Sequence, residues 1–220
     1  MPQQDEQSEL ADLKAGGEAA FARLFARYED RLGKVVRFRL DQRLWGRVDP
    51  ADILQETYLA TSRRLADYLR NPKVPVFVWL RSMTEQVLVD IHRHHLGAQC
   101  RNAGLEVSLD QQDGAFVTSV SLAARLAADL TSPSQAAIRD EMLLKLRQAF
   151  ASMDPIDREV LALRHFEELT NNDVADVLGL QKSAASNRYV RALKRLKEIL
   201  SEISPSGTAG PDRQEDLLDG

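Results

Sequence analysis

The sequence has few of the features that would place the chain outside the cell or in a membrane. Its 220 residues include one cysteine, Cys100, so no disulfide can form within the chain and a reducing cytoplasm is expected. The first ten residues, MPQQDEQSEL, lack the basic and apolar segments of a secretory signal, and no apolar run approaches membrane-spanning length. We therefore expect a cytoplasmic protein with no membrane insertion.

The sequence also lacks the motifs that carry catalysis or hold a cofactor. No glycine-rich phosphate loop, nucleophile elbow or spaced pair of catalytic carboxylates is found. His92, His94, His95 and Cys100 suggest a metal site, but their spacing fits no closed tetrahedral pattern. A basic helix end beside a phosphate surface explains the histidines better. We expect no enzyme activity, no cofactor and no metal.

Strand patterns are also missing, apart from a weak run at 116–122, and the sequence predicts an all-α fold. Aromatic residues make up 6% of the chain and charged residues 28%. Helix-start signals recur along the sequence. In each, the N-cap side-chain oxygen can accept a backbone N–H that has no partner within the helix, and a proline at the first helical position has no N–H that would need one. These signals are Asp49-Pro50, Ser132-Pro133, Asp154-Pro155 and the proline-free Thr170-Asn171-Asn172-Asp173.

The composition divides the chain into two helical domains joined by a flexible linker. The helical blocks cover residues 17–98 and 132–203. Between them, residues 99–131 are rich in Ser, Asp, Gln and Gly and predict a linker with one short helix. Residues 1–16 are assigned to an N-terminal tail, and the acidic, Gly/Pro-rich residues 204–220 to a disordered C-terminal tail.

The C-terminal block contains a helix-turn-helix pattern. A helix over 156–168 is followed by Thr170, which caps a short helix over 171–178. Gly179 then supplies the turn, and a longer basic helix begins near Gln181. The segment 178–197 carries six basic residues and no acidic one.

A helical wheel separates a packing face from an open face on this basic helix. The packing face holds Ala185, Tyr189, Ala192, Leu193, Leu196, Ile199, Leu200 and Ile203. A major-groove reader needs small residues at its leading end, amide and guanidinium groups for base edges and cations for phosphates. The residues that meet this need are Lys182, Ser183, Ser186, Asn187, Arg188, Val190, Arg191 and Lys194.

Two interpretations of that helix compete. A solvated basic face is common, and the charges alone do not distinguish it from a DNA reader. The capped helix and glycine turn in front of it favour the reader. The net charge of −4 is unusual for a protein that binds nucleic acid alone, but the charge is uneven along the chain and its pattern matters more than the total.

The N-terminal block contains an acidic helix, DPADILQETYLATSRRLADY, over 49–68. Asp52 and Glu56 share a face with Gln55 beside them, while we place Ile53, Leu54 and Leu59 elsewhere on the wheel. First-turn acids complement the helix dipole, which explains Asp52 but explains Glu56 less well. The alternative is an acidic docking patch for a basic partner.

A stiff loop and a second helix follow. The loop over 69–75 contains two prolines, and Trp79 near the start of the helix is interpreted as a core residue rather than a base-stacking platform. Arg81, Gln86, Arg93 and His94 are polar groups of this helix that could meet nucleic acid.

Two stretches resemble the sigma-70 family of bacterial RNA polymerase sigma factors. DPADILQETYL with FVWLRSMTEQVLVDIHR resembles region 2, and MDPIDREVLALRHFEELTNNDVADVLGL with QKSAASNRYVRALKRLK resembles region 4. Their order, with a linker and no region 3, is that of the extracytoplasmic-function (ECF) class. The resemblance covers residues 17–203.

The resemblance implies a sigma factor that binds core RNA polymerase, recognises promoter DNA and directs transcription initiation. Asp52, Gln55 and Glu56 would dock on the coiled coil of the largest subunit, and region 4 would meet the flap. Region 4 would read the −35 duplex. The predicted −10 contacts are Arg70, Asn71, Lys73, Arg81, Gln86 and Arg93.

Two adjacent residues depart from the family pattern. Family members commonly carry Arg and Asn where this chain has Glu85 and Gln86, which leaves the details of the −10 contact undecided. An anti-sigma protein is a further candidate partner. The alternative function is a stand-alone helix-turn-helix repressor or activator with a partner-binding N-terminal domain.

Overall fold

The computed structural model describes residues 2–103, 121–128 and 136–203. The chain divides into two compact units, Met1–Val107 and Ser108–Gly220. Every regular element in the described ranges is helical, which confirms the all-α prediction. None of the described helices is long and apolar enough to cross a membrane.

The first unit is a bundle of three helices in which each helix packs against the other two. Its helices are α1 (Pro2–Arg39), α2 (Pro50–Arg70) and α3 (Val76–Ala103). A short 3₁₀ turn, Gln42–Leu44, follows α1. Apolar side chains from all three helices and this turn form one buried cluster of Val36, Leu40, Leu44, Ile53, Val87 and Leu88.

The start of α1 corrects the predicted N-terminal tail. Residues 2–16 are helical and belong to the bundle, because Leu13 is buried and the Tyr28 hydroxyl donates to Glu9 at 2.7 Å. Arg27 pairs with the same Glu9 carboxylate. The predicted boundary at residue 17 is instead a kink at Gly17, whose φ of 54° lies in the left-handed region that glycine adopts without strain.

The second unit is built around a long final helix, α8. Its described helices are α4 (121–128), α5 (Ala136–Ala151), α6 (Pro155–Leu161), α7 (Asn171–Leu178) and α8 (Lys182–Ile203). Helices α5, α6 and α7 all pack against α8.

The predicted linker contains helical structure at both of its described parts. Helix α3 continues to Ala103, past the predicted boundary at 98, and α4 is a short helix within the described part of the linker, where the sequence predicts one. Leu122 and Leu126 of α4 are buried. The rest of the predicted linker up to 131, and the predicted tail from 204, lie outside the described residues.

The helix-start predictions are confirmed where the structure describes them. Carboxylate oxygens of Asp49 and Asp154 accept from the backbone N–H two residues later, at 2.9 and 2.8 Å. Thr170 and Asp173 form a reciprocal capping box at the start of α7. The Ser132-Pro133 signal lies outside the described residues.

The helix-turn-helix is formed by α7, Gly179 and α8, as predicted. The helix before it was predicted to run to residue 168. In the structure, α6 ends at Leu161 and is followed directly by one π-helical turn, Ala162–Phe166. Gly179 has a φ of 62° and donates its N–H to the Ala175 carbonyl, which closes α7.

We predict that Gly179→Ala lowers the free energy of unfolding by about 1 kcal/mol, because a side chain strains a left-handed residue. No atom lies within 4 Å of the Cβ position, so the cost is conformational and not steric. Gly179→Asn should cost less, since asparagine tolerates this conformation. Urea unfolding of the full chain, followed by circular dichroism, measures both; an alanine variant as stable as the parent would contradict the prediction.

Candidate nucleic-acid interface

The open face of α8 is a continuous polar surface. Asn187 and Arg191 lie one turn apart, both exposed, and Val190 beside them is 64% exposed. Ala185 and Ala192 on the opposite face are fully buried. The structure also leaves exposed the flanking Lys182, Ser183, Ser186 and Lys194. Seven of the eight side chains predicted to contact the −35 element are therefore accessible; Arg188 is the exception.

Tyr189 fixes the orientation of α8 about its own axis. Its hydroxyl lies 3.0 Å from Nε2 of His165, and the guanidinium of Arg164 lies over its ring at 5.1 Å. His165 and Arg164 belong to the π-helical turn, so this contact couples that turn to α8. Burial lowers the pKa of His165, and the nearby Arg164 lowers it further, which favours the neutral imidazole.

An ion-pair cluster joins α8 to the first turn of α6. Arg191 donates through Nε to Oδ2 of Asp157 at 2.7 Å and through Nη2 to Oδ1 at 2.9 Å. Arg188 donates through Nη1 to Oδ1 of Asp157 at 2.7 Å and to Asp154 at 3.1 Å. The Asp157 side chain is only 8% exposed, so it is the buried centre of the cluster.

The cluster keeps Asp157 ionised. Burial opposes ionisation, but the hydrogen bonds and charges of Arg191 and Arg188 outweigh it and hold the pKa of Asp157 below its usual range. Arg188 is 25% exposed and turned toward α6, which is at odds with its prediction as a base reader. We assign it to holding α8 against α6. Arg191 is 59% exposed and stays on the open face.

The outward face of α2 carries the predicted docking residues. Asp52, Gln55 and Glu56 are all exposed. Leu59 lies two turns after Asp52 on the same face and is 46% exposed, which corrects its placement elsewhere on the wheel. The buried face of α2 holds Ile53, Thr57, Thr61, Leu65 and Tyr68. The exposed surface is therefore acidic with an apolar side chain within it.

An aromatic stack and a hydrogen bond support the loop between α2 and α3. The rings of Tyr68 and Trp79 stack with centroids 4.3 Å apart, and the Tyr68 hydroxyl donates to the Val74 carbonyl at 2.8 Å. Trp79 is half-buried in this stack. Asn71 and Lys73 are exposed on the loop. Arg70 is exposed as well and pairs with Asp67.

Arg81 is not on the surface where the −10 prediction needs it. It is 2% exposed, and its Nη1 and Nη2 donate to the two carboxylate oxygens of Glu85 at 3.0 Å each. Glu85 also pairs with Arg39 at 3.2 Å. The prediction for Arg81 is therefore replaced by a structural role. Glu85, the residue that departs from the family pattern, is the shared carboxylate of two buried arginines.

The remaining predicted contacts on α3 are accessible. Gln86 is exposed, and its Oε1 accepts from Nη1 of Arg64 at 2.9 Å. The carbonyl end of Gln86 is therefore held by Arg64. Arg93 is also exposed.

The histidines serve the fold at one position at least. Nε2 of His92 accepts the Asp41 backbone N–H at 3.2 Å, and burial lowers the pKa of His92. His94 and His95 are exposed, with their rings edge to face. Across the described residues, no group of three or more His, Cys, Asp or Glu is placed to hold a metal.

The sequence did not reveal three residues that shape these surfaces. Asp157 follows Asp154 in a helix-start signal, and nothing near it indicates that arginines 31 and 34 positions later would pair with it. Glu85 appeared as a departure from a family pattern and not as an ion-pair centre. Leu59 could have been found from its spacing of seven residues from Asp52.

Comparisons with known proteins agree with this geometry. The model of the family described as Sigma-70, region 4, matches residues 149–198, which hold the cluster and the helix-turn-helix. RNA polymerase sigma-H factor of Pseudomonas aeruginosa is 24% identical over 204 residues, 92% of this chain and 97% of that protein. ECF RNA polymerase sigma factor SigW of Bacillus subtilis is 21% identical over 195 residues, 88% of this chain and 96% of that protein.

A further relative is similar in sequence and in fold. RNA polymerase sigma factor CnrH of Cupriavidus metallidurans is 25% identical over 199 residues, 88% of this chain and 93% of that protein. The structure of CnrH in complex with the cytosolic domain of CnrY matches with a TM-score of 0.50 at 20% identity, over 90% of this chain and 99% of that one. The region 4 match and the relatives aligned over most of the chain support an RNA polymerase sigma factor of the ECF class of the sigma-70 family.

We predict that Glu85→Gln destabilises the protein by about 2 kcal/mol, because buried Arg81 and Arg39 then lose a charged acceptor. Asp67→Asn, which removes the exposed partner of Arg70, is the control and should change stability little. Urea midpoints of the two full-length variants provide the comparison. Equal midpoints would show that Glu85 is not a structural centre.

Proposed function

We propose that this sigma factor binds core RNA polymerase through α2, recognises a −35 and a −10 element, and directs initiation while polymerase supplies the chemistry. The observation that carries the proposal is a pair of exposed faces of opposite character on well-packed helices. The face on α2 presents Asp52 and Glu56, and the face on α8 presents Asn187 and Arg191 with its lysines. An acidic face suits a basic protein partner, and the other suits DNA.

The domain assignment extends this proposal. We assign region 2 to the bundle of α1 to α3 and region 4 to residues 132–203, with the intervening segment as the linker. The first helical turns of α1 are included in region 2, since Leu13 and Glu9 contact the rest of the bundle. A cytoplasmic location follows from the proposed partners.

Docking through α2 would combine charge with apolar burial. Asp52 and Glu56 would pair with cations of the coiled coil on the largest polymerase subunit, with Gln55 adding an amide. Leu59, exposed between these acids and the end of the helix, would be desolvated at the centre of the contact. Interfaces commonly have this anatomy, in which an apolar anchor is surrounded by polar groups that set orientation. Region 4 would contact the flap.

The −35 contact would follow the usual rules of the major groove. Asn187 can make a bidentate bond to adenine and Arg191 to guanine, while exposed Val190 can meet a thymine methyl group. Lys182 and Lys194 would neutralise phosphates on either side. The buried Ala185 allows α8 to pack closely on the rest of the unit.

The −10 contact would use the braced loop and the exposed part of α3. Asn71 and Lys73 stand on a loop that the Tyr68–Trp79 stack supports, which limits the entropy lost when a single strand binds. Arg70, Gln86 and Arg93 would complete the contact. Arg81 is excluded because it is buried.

A protein regulator is also proposed as a partner. CnrH was solved in complex with the cytosolic domain of CnrY, and this chain has the fold of CnrH. An anti-sigma protein that binds this chain would compete with polymerase for the exposed acidic face of α2.

We predict that transcription depends on the protein and on core polymerase together. Run-off transcription on promoters selected by the reconstituted holoenzyme should yield specific transcripts only when both are present. Tight duplex binding by the chain alone, with no effect on polymerase, would support the alternative of a stand-alone repressor or activator.

Charge reversal on α2 tests the docking surface. The double variant Asp52→Lys with Glu56→Lys should weaken binding to core polymerase by about 100-fold, because each lysine then faces a cation of the partner. Glu29→Lys with Asp30→Lys, on the exposed face of α1, makes the same change in net charge and should bind normally. Fluorescence titration of labelled chain with core polymerase measures both. Equal affinities for the two variants would refute the docking assignment.

A further inference from the structure

The Asp157 cluster is asymmetric, because its two arginines differ in how far they are exposed. The carboxylate is buried and Arg188 is turned inward, whereas Arg191 keeps 59% of its side chain exposed. An exposed arginine adds little to an ion pair that serves only to join two helices, since solvent screens the attraction. Here the carboxylate holds an arginine that remains on the surface assigned to DNA.

The bonding pattern leaves one edge of the Arg191 guanidinium available. Nε and Nη2 are engaged by Asp157 in the two-pronged arrangement that fixes the plane of the group. The opposite edge consists of Nη1 and the second hydrogen of Nη2. No hydrogen bond from this edge is found within the described part of the chain, and 59% of the Arg191 side chain as a whole is exposed.

A guanidinium has enough donors to serve both groups at once. It carries five N–H donors in a planar fork, and guanine presents O6 and N7 as a matching pair of acceptors in the major groove. A carboxylate that holds one edge orders the side chain before DNA arrives, so less rotamer entropy is lost in forming the base contact. It also restricts the angle from which the free edge can approach.

We infer that Asp157 is a positioning residue that orients Arg191 to read one guanine of the −35 element. The inference rests on the proposed function, and it adds to it a specificity determinant that lies on α6 and not on the recognition helix. Arg188 also donates to Oδ1 of Asp157, so a second arginine of α8 holds the carboxylate in position.

A second interpretation makes an opposite prediction. If the carboxylate merely competed with DNA phosphates for Arg188 and Arg191, removing its charge would strengthen binding to every sequence and leave base preference unchanged. A positioning role means that removing it weakens one base preference, while general attraction to DNA stays the same or rises because a negative charge is gone.

The experiment selects promoters from a library randomised through the −35 element, using holoenzyme reconstituted from the full chain and core polymerase. We expect the parent chain to enrich a guanine at one position. Asp157→Asn should reduce that enrichment by about ten-fold at that position alone, within the range for one bidentate base contact. Arg191→Lys, which keeps the charge but loses the fork, should reduce it equally.

Two controls separate the possible causes. Glu198→Gln makes the same charge change on α8, and its partner Arg195 is not an assigned reader, so its selection should match the parent. Asn187→Ala should alter preference at a different position. Melting curves identify any unfolding; if Asp157→Asn melts below the assay temperature, Arg191→Lys carries the test, since it leaves Asp157 with Arg188.

The results that overturn the inference are distinct from those that overturn the proposed function. Retention of the guanine preference by Asp157→Asn, or by Arg191→Lys, overturns the inference. If Asn187→Ala still alters the base preference at its own position, the proposed function stands. A parent selection with no base preference in the −35 element overturns both. Uniformly stronger binding by Asp157→Asn with the parent preference also overturns the inference, in favour of competition.

Discussion

A helix that packs on one side can offer a ligand only the residues on the other, and this constraint governs both of the surfaces that we propose for binding. Burial of Ala185 and Ala192 turns Asn187 and Arg191 outward on α8. Burial of Ile53, with Thr57 and Thr61 bonding back to their own helix, does the same for the acids of α2. The cores of the two units therefore decide which side chains are exposed on α2 and α8.

Each of the two units contains an ion-pair cluster in which one carboxylate binds two arginines. Glu85 accepts from Arg81 and Arg39, and Asp157 accepts from two arginines of α8. In each case one carboxylate with several lone pairs accepts from two guanidinium groups. Both arginines of the first cluster are buried, while the second cluster keeps one arginine at the surface.

The fold and most of the exposed residues could be predicted from the sequence. The caps at Asp49, Asp154 and Thr170 and the turn at Gly179 were read correctly, because each signal lies within a few residues of the bond it makes. The wheel of α8 separated its faces for a similar reason. The N-terminal tail was misassigned, since its helix is completed by contacts to residues on the far side of Gly17.

The chain by itself determined where helices begin, which faces are apolar and where charge of each sign collects, since these depend on neighbours along one helix. Only the tertiary structure decided which arginines are available. Arg81, Arg188 and Arg191 were all candidate DNA contacts in the sequence, yet one is buried, one is turned inward and one is held at the surface. Asp157, the partner of Arg188 and Arg191, lies 31 and 34 positions away from them, and a helical wheel does not show how deeply a side chain is buried in a bundle.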